Sequence, residues 1–352
     1  MQRIFVINPG ATSTKTAVFE DEKCVWMSGG HHPTEEISRF RTIAEQYPYR
    51  LNFVLKSLSD AGMELNFDAV IGRGGLTRPL QGGVYAVNEQ MRHDLIHAEQ
   101  EHACNFGALI AYDLAERCHC PAYIADPVVV DELMPEARLT GLPFIERKSI
   151  FHALNSKAVA RRHARSVGRS YDDMNLIVAH LGGGISVGAH RHGKVVDVNN
   201  ALNGEGPFSP ERAGTLPAYA LVDLCFEGKY DKRQIKKMLS GYGGLMAHLG
   251  TKDMITISAE AEQGHEPYCS VLSSMLYTVA KQIAAMTIAL DGQVDAIILT
   301  GGIAHSRYCT DVVSQRVGFI APVVVMPGEG EMESLAFNAL GALRGELPLR
   351  EY

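Results

Sequence analysis

The sequence contains no long run of basic residues, and its overall charge is acidic. Its 352 residues include 33 Lys and Arg against 40 Asp and Glu, for a formal net charge of −7. A protein that binds nucleic acid usually presents a concentrated basic patch to the phosphate backbone. We therefore expect no nucleic-acid partner.

The sequence also lacks an apolar stretch of the length that a membrane-spanning helix needs. Residues 1–7 are largely apolar, but Asn8, Pro9 and Gly10 follow at once. This pattern is typical of a strand and a turn rather than of a signal peptide. The seven cysteines are scattered and odd in number, which indicates reduced thiols. These features predict a cytoplasmic protein with no membrane partner.

The composition predicts two domains. Apolar residues make up 46% of the chain and charged residues 21%, which is enough apolar material for substantial cores. A chain of this length exceeds one ordinary core. We expect a first domain at 1–150 and a second at 151–333. The C-terminal helix, 334–352, is a candidate to pack back onto the first domain.

One order of strands and turns occurs twice. Each copy has an apolar strand, a turn of small residues and two further strands. The copies are 3–7, 9–14, 16–20 and 23–27, then 175–179, 180–184, 186–191 and 194–199. When Asn8 is placed on His180, Gly10 falls on Gly182. This match predicts duplication of a whole domain.

Helices and strands alternate after each copy, which is typical of α/β domains with mixed sheets. The predicted helices lie at 51–58, 106–114, 271–290 and 335–343, and the predicted strands at 69–71, 122–125, 296–299 and 323–325.

Three glycine-rich turns, each directly after a predicted buried strand, are candidates for phosphate binding. Small residues let backbone N–H groups approach a phosphate closely. One such turn often only joins strands, but three predict a nucleotide, which the duplication places in a cleft between the halves. A solvated strand residue is an equal alternative for Lys15. The candidates are Asn8, Ser13 and Lys15, then Gly182, Gly183 and Gly184, then Gly301, Gly302 and Ile303.

These motifs resemble a known family. The duplicated unit with three glycine turns resembles the sugar kinase, heat-shock protein 70 and actin superfamily. Residues 8–15, Asn-Pro-Gly-Ala-Thr-Ser-Thr-Lys, are similar to the opening of the acetate and butyrate kinases, and 180–184, His-Leu-Gly-Gly-Gly, to their second phosphate motif. Residues 203–214 resemble the butyrate branch, as does the chain length, which lacks insertions found in acetate kinases. The resemblance covers essentially the whole chain.

The resemblance implies a duplicated actin-like, ribonuclease H-like α/β fold that uses ATP and Mg²⁺. It implies transfer of the γ-phosphoryl group of ATP to a short-chain carboxylate, with butyrate giving butyryl phosphate and ADP. A propionate or branched-chain acyl kinase is an alternative, because one methylene changes binding by only about 1–3 kcal/mol. A non-catalytic ATP switch of the same superfamily is a further alternative. A homodimer or higher homo-oligomer is also implied.

The resemblance assigns roles to four residues. Arg73, between glycines after a predicted strand, and Arg212 match the family's arginines that hold the carboxylate and the transferring phosphoryl group, which a planar guanidinium suits. His180 is implied to donate a hydrogen bond to the phosphoryl group, and Asp126 to organise the site around Mg²⁺ or an arginine. A loop salt bridge for Arg73 and a core role for His180 are the alternatives.

Further candidates come from the same resemblance. Glu331, with Asn8, is expected to serve Mg²⁺, usually through water, and Glu333 is the alternative. Asp253 is expected near the adenosine, although Ile255 stands where acetate kinases carry an arginine.

Two further candidates are expected near the acyl group. His102 and Arg78 are candidate substrate contacts, and a surface turn is the alternative for Arg78. His93 and His97 have metal-ligand spacing, but no Glu follows His93 to complete a hydrolytic zinc motif. Ala11 replaces a serine of the acetate kinases, so the first turn must depend more on its backbone N–H groups.

Overall fold

The structure, a computed structural model, describes residues 1–42, 44–98 and 102–352. They form two compact units, 1–130 with 330–352, and 131–329. The chain leaves the first unit after Val130, earlier than the expected boundary near residue 150, and returns to it at Gly330. The C-terminal helix is therefore part of the first unit.

The described residues form twelve strands in two mixed sheets. The strands are β1 (Arg3–Pro9), β2 (Ser13–Glu20), β3 (Lys23–His31), β4 (Ala69–Arg73), β5 (Val84–Ala86), β6 (Ala122–Ala125), β7 (Asn175–Leu181), β8 (Ile185–Arg191), β9 (Lys194–Val198), β10 (Ala296–Gly301), β11 (Val323–Pro327) and β12 (Leu349–Arg350).

Helices connect and cover the strands. They are α1 (Thr34–Ile37), α2 (Tyr47–Asp60), α3 (Glu89–Ile96), α4 (Asn105–Cys118), α5 (Pro135–Arg138), α6 (Ala153–Ser166), α7 (Ala218–Phe226), α8 (Lys232–Leu239), α9 (Gly244–Leu249), α10 (Met254–Glu262), α11 (Tyr268–Met286), α12 (Arg307–Val317) and α13 (Glu331–Leu343). Short 3-10 helices occupy Ala44–Gln46, Tyr171–Asp173, Ile288–Leu290 and Gly302–His305.

Five strands of the first sheet, β6-β4-β1-β2-β3, have the same order as the whole second sheet. The first has the order β12-β5-β6-β4-β1-β2-β3 and the second β11-β10-β7-β8-β9. In each, the first strand of the unit pairs antiparallel with the next strand and parallel with the strand on its other side. Asn8 pairs with Lys15, and His180 with Ser186. Asn8 and His180 therefore hold equivalent positions near the carboxyl ends of β1 and β7.

The apolar runs that predicted the central strands are buried on both faces, as expected for strands covered by helices. In β7, Ile177 and Ala179 belong to a core that includes α11 and α12, whereas Leu176 and Val178 pack with α6. This alternation follows from the two-residue period of a strand. In the first unit, α4 and α13 pack against β1, β4 and β6.

One segment corrects an expectation from the sequence. Tyr268–Leu290 is long and apolar enough, by length and composition, to cross a membrane. Its residues Leu272, Met275, Val279 and Ile283 are fully buried and belong to the core of the second unit. Their spacing of three or four residues places them on one face of α11, so the apolar character of this helix is accounted for by core packing.

Candidate active site

Three polar side chains meet at the carboxyl end of the first sheet. β1 and β4 are parallel neighbours, with Ile7 paired to Gly72, so Asn8 and Arg73 follow at the same edge. The Asn8 amide donates to Glu331 Oε2 at 2.6 Å, and an Arg73 amino group lies 3.2 Å from the same oxygen. That arginine also approaches Asn8 Oδ1 at 3.5 Å. The guanidinium is therefore pre-positioned by a carboxylate and an amide.

The structure separates the two candidate metal carboxylates. Glu331 is the first residue of α13 and is buried, whereas Glu333 is exposed. Glu333 lies near the Cys24 thiol, whose pKa is raised chiefly by burial and further by this carboxylate. Only Glu331 therefore joins Asn8 and Arg73.

Glu331 fits a single contact to a nucleotide-bound Mg²⁺. Its Oε2 is committed to Asn8 and Arg73, and within the described ranges no hydrogen bond reaches Oε1. The described residues contain no group of three His, Cys, Asp or Glu that could hold a metal ion. One carboxylate, with waters and phosphates completing the shell, is how Mg²⁺ is usually bound in kinases.

Asp126 directly follows β6 and is almost completely buried. Its Oδ1 accepts the Gly83 N–H at 2.8 Å, and its own N–H donates to the Gly83 carbonyl at 3.0 Å. Its φ of +40° is unusual for a residue with a side chain. The pairing with Gly83 holds the aspartate at the strand end in this strained conformation.

The first glycine turn is held from behind by Arg50, a residue that the sequence patterns did not indicate. Arg50 lies on α2 and is completely buried. Its guanidinium donates to the carbonyls of Gly10, Ala11 and Ser13 at 2.9, 2.8 and 3.0 Å. Ser13 thus contributes its carbonyl to this contact.

Lys15 is exposed on β2 opposite Asn8. Its side chain therefore lies at the same edge of the first sheet as Asn8, Arg73 and Glu331.

Two candidates for the acyl group have other partners. The Arg78 guanidinium stacks on the Tyr352 ring at 4.3 Å, and the Arg78 N–H donates to the Tyr352 hydroxyl at 3.4 Å. The His102 Nδ1 contacts the Cys104 thiol at 2.9 Å. Burial raises the pKa of Cys104 to about 11, against an opposing influence of nearby Arg73. His102 therefore contacts Cys104, and Arg78 contacts Tyr352.

The contacts of His180 in the second unit indicate one tautomer. The Thr300 hydroxyl donates to the Gly328 carbonyl at 3.0 Å, so its oxygen accepts from the Asn155 amide at 3.2 Å. The same amide nitrogen of Asn155 then donates to His180 Nδ1 at 2.9 Å. This chain assigns the proton to His180 Nε2.

The Nε2 atom of His180 is directed at the second glycine turn. An added Cβ at Gly182 would lie 3.1 Å from it. The His152 ring stacks on His180 with centroids 3.7 Å apart and an interplanar angle of 6°. His152 and Asn155 were missed from sequence. Their only signal is two polar residues, three apart, at a buried helix start.

Arg212 lies against the second turn. One of its amino groups donates to the Ala201 carbonyl, and a Cβ on Gly184 would overlap that amino group. Glycine at 184 therefore makes room for the guanidinium. The Ser209 hydroxyl donates to the Gly183 carbonyl at 2.5 Å, which fixes the Arg212 loop to the turn. Burial lowers the pKa of Arg212 from its ordinary value.

The third turn and the Asp253 segment have clear local roles. Gly301 and Gly328 exchange backbone hydrogen bonds of 3.1 and 3.0 Å, which joins the third turn to the segment after β11. Gly302 and Ile303 open the 3-10 helix that follows. Asp253 caps α10, accepting from the Ile255 N–H at 3.1 Å and the Thr256 hydroxyl at 2.6 Å. These bonds lower the pKa of Asp253.

His93 on α3 and His97, which caps the end of that helix, contact each other. The rings of His93 and His97 have centroids 4.3 Å apart, and His97 Nδ1 contacts the His93 carbonyl at 2.8 Å. The structure therefore shows a local stacking contact at this spacing.

Two curated relatives match nearly the whole chain. A protein of Phocaeicola vulgatus named "Probable butyrate kinase" is 66% identical over 350 residues, 99% of each chain. A protein of Bacteroides thetaiotaomicron with the same name is 54% identical over 351 residues, again 99% of each. Both relatives thus align with this chain over nearly its full length.

A solved structure matches the fold. The acetate kinase of Porphyromonas gingivalis has a TM-score of 0.80 at 18% identity, covering 97% of this chain and all of its own. The predicted α/β fold is thereby confirmed. Residues 142–321 match the model of the Acetokinase family. By this match and by the two relatives, the chain belongs to the acetokinase family.

Proposed function

We propose that this protein transfers the γ-phosphoryl group of ATP to butyrate, forming butyryl phosphate and ADP. The observation that carries the proposal is the 66% identity, over nearly the full chain, to a relative named for butyrate. The polar groups built on β1, β4 and β7 support the same chemistry, because they supply cations and hydrogen-bond donors at strand ends.

The reaction asks little covalent chemistry of the protein. A carboxylate oxygen of butyrate attacks the γ-phosphorus, a new P–O bond forms, and the bond from that phosphorus to the β,γ-bridging oxygen breaks. The nucleophile is already ionised, so no general base is needed. The barrier comes from bringing two anions together in line and from charge on the phosphoryl oxygens.

Residues of the first unit are proposed to hold the carboxylate. Arg73 offers a planar pair of donors that suits a carboxylate, and its contacts with Glu331 and Asn8 fix the guanidinium before substrate arrives. Asp126 is proposed to organise the site around Arg73 or Mg²⁺. A cation that is already held in place loses little conformational entropy when the substrate binds, which favours the in-line geometry.

Residues of the second unit are proposed to stabilise the moving phosphoryl group. With its proton on Nε2, as the Asn155 contact indicates, His180 would donate a hydrogen bond without needing a positive charge. Arg212 supplies the guanidinium beside the second turn. Donors that meet charge developing in the transition state lower the barrier more than they strengthen substrate binding. The backbone N–H groups of the three turns are proposed to bind the ATP phosphates.

Mg²⁺ is proposed to enter with ATP, with Glu331 and Asn8 as its protein contacts, directly or through water. When bound, it would neutralise part of the phosphate charge. We also place the reaction in the cytoplasm, where ATP is available.

A hydroxamate assay tests the class of reaction. With ATP, Mg²⁺, hydroxylamine and butyrate, the protein should yield butyryl hydroxamate and equimolar ADP. Omitting butyrate should abolish ADP formation, because the proposed kinase needs an acyl acceptor. An ATP switch would instead hydrolyse ATP without one. ATP hydrolysis that butyrate does not stimulate, with no hydroxamate, contradicts the proposal.

A second copy of the chain is the proposed partner. Helix α7 has no buried residue, and its apolar residues Tyr219, Val222 and Phe226 are exposed. Their spacing places them on one face, and exposed apolar patches often mark interfaces. Light scattering after size exclusion should show an oligomer that Phe226→Asp converts to monomer. A monomeric wild type refutes this.

A further inference from the structure

Arg50 is the largest fully buried side chain of the described residues, and it carries a charge. Its guanidinium reaches five oxygen atoms, all of them neutral: three backbone carbonyls, the Thr14 hydroxyl at 3.2 Å and the Gln46 amide oxygen at 3.3 Å. One face packs on the Phe106 ring at 5.5 Å. Burying a charge without a carboxylate partner is costly. Its hydrogen bonds, three of them to carbonyls of the first turn, offset that cost.

The contacts of Arg50 determine which way the first turn faces. A trans peptide points its C=O and the N–H of the next residue in opposite directions. Arg50 draws the Gly10 and Ala11 carbonyls into the protein, which turns the Ala11 and Thr12 N–H groups outward. Both residues are exposed, and within the described ranges neither N–H donates a hydrogen bond.

The backbone of His32 completes the arrangement. Its N–H donates to the Thr12 carbonyl at 2.7 Å, which turns the next N–H, that of Ser13, away from it. The carbonyls of all four residues from Gly10 to Ser13 thus accept hydrogen bonds from within the protein. The Ser13 carbonyl accepts from both Arg50 and the Gly10 N–H. A row of outward N–H groups is a binding surface for phosphate oxygens.

We propose that Arg50 is a positioning residue for nucleotide binding: it orients the amides of the first turn toward a phosphate group of ATP and places a positive charge behind them. This inference rests on the proposed function, since it presumes that the turn binds ATP. Ala11 has no side-chain donor, so the orientation of the backbone decides what the turn offers.

Two variants separate positioning from stability. Arg50→Lys keeps a positive charge, but a point charge on a flexible stem cannot bridge three carbonyls. Gln46→Glu is nearly isosteric and sets a carboxylate against the guanidinium, which neutralises the charge while adding an ion pair. The matched control is Leu58→Ala, which truncates a buried residue of the same helix and lies outside the turn.

Calorimetry with Mg²⁺ measures the affinity of each variant for ATP and for adenosine, and thermal melting measures stability. Arg50→Lys should weaken ATP binding by about tenfold or more, the scale of one or two charge-assisted hydrogen bonds. Its affinity for adenosine, which carries no phosphate, should stay unchanged. Gln46→Glu should melt no lower than wild type and still bind ATP more weakly. Leu58→Ala should melt lower and bind ATP normally.

A purely structural role for Arg50 predicts a different pattern. Gln46→Glu would then bind ATP as well as wild type does, because its fold is intact. Wild-type ATP affinity in Arg50→Lys or in Gln46→Glu would overturn the proposal, and Gln46→Glu decides alone if the lysine variant does not fold. These measurements need no acyl acceptor. A wild-type protein that binds no ATP would instead overturn the proposed function.

Discussion

At the scale of single residues, the two proposed catalytic arginines have different surroundings. Arg73 is paired with Glu331 at 3.2 Å. Arg212 contacts the Ala201 carbonyl, and its buried Nε has no hydrogen-bond partner among the described residues. An unpartnered buried donor is costly unless something binds it. We therefore expect Arg212 to gain more than Arg73 from the proposed contact with the phosphoryl group.

Removing either arginine should damage catalysis more than folding. Arg212→Ala and Arg73→Ala should each lower kcat by roughly 10²–10⁴-fold, the scale for loss of a charge stabiliser. Arg73→Ala should also raise the KM for butyrate. Lysine should restore each only in part, because it cannot make a two-pronged contact. Steady-state kinetics with circular dichroism check this. Arg307→Ala, an exposed arginine, is the control, and near-normal kcat in folded alanine variants would refute the assignment.

The tautomer of His180 gives a second prediction at this scale. Asn155→Asp replaces the donor to Nδ1 with an acceptor, so Nδ1 must take the proton and Nε2 loses it unless the ring becomes charged. We expect kcat to fall by roughly 10²-fold, the lower end of the loss seen when one donor to a developing negative charge is removed. Thr300→Val should cause a smaller loss because it removes the partner that orients Asn155, and Thr300→Ser should retain activity.

Nitrogen NMR of the imidazole provides the readout beyond activity. Wild type should show a protonated Nε2 on His180, and Asn155→Asp should shift the proton or the charge and so change the pH profile of kcat. A normal pH profile and normal kcat in Asn155→Asp would show that the tautomer does not matter.

At the scale of elements, apolar runs and glycine turns located ten of the twelve described strands, and β5 and β12 were not predicted. Strands β4, β6 and β10 begin at the predicted residues. The sequence did not reveal Arg50. It lies four residues before Val54, a spacing at which a buried helix face normally has an apolar residue. Arg50, Val54 and Leu58 form the buried face of α2. Leu51 and Leu55, which also belong to the predicted helix, are only half-buried.

Long-range partners were equally invisible. His152 and His180 stack across 28 positions of chain, and the link from Asn155 through Thr300 spans 145. Spacing patterns report only neighbours within one element. Which strand ends meet depends on sheet order, and that order is a property of the whole unit.

One contact between elements supports the position of Arg73. A Cβ on Gly72 would overlap the Gly107 carbonyl, and a Cβ on Gly107 would overlap the Arg73 carbonyl. Strand β4 and helix α4 therefore touch backbone to backbone. Overpacking of this kind costs about 1–3 kcal/mol. It must also displace the strand end that carries the arginine.

Gly72→Ala should therefore lower both stability and kcat. We expect a loss of about 1–3 kcal/mol in the free energy of unfolding, measured by urea titration, and a kcat reduced below wild type at temperatures where the protein is fully folded. Gly141→Ala is the matched control, because its Cβ meets no atom within 4 Å. A Gly72→Ala variant with wild-type stability would show that α4 moves away freely.

At the scale of the whole molecule, one sheet topology serves two different tasks. Asn8 and His180 hold equivalent strand positions, yet Asn8 joins a carboxylate and an arginine, and His180 joins an amide and a second imidazole. Each unit thus carries its own set of polar groups on a shared frame. The proposed division gives the carboxylate to the first unit and the phosphoryl group to the second.

The acyl-chain preference is the property that tests the complete protein. A buried methylene is worth about 0.8 kcal/mol, so two further methylenes should favour butyrate over acetate by roughly tenfold or more in kcat/KM. The hydroxamate assay with acetate, propionate, butyrate, isobutyrate and valerate measures this series at fixed ATP and Mg²⁺, with reactions lacking an acid as the control. A rise from acetate through propionate to butyrate, with isobutyrate below butyrate, is the expected order. Isobutyrate above butyrate would instead indicate a branched-chain acyl kinase, and a maximum at propionate a propionate kinase. Acetate equal to or better than butyrate would refute the butyrate assignment and leave the family membership intact, because all of these acids undergo the same phosphoryl transfer.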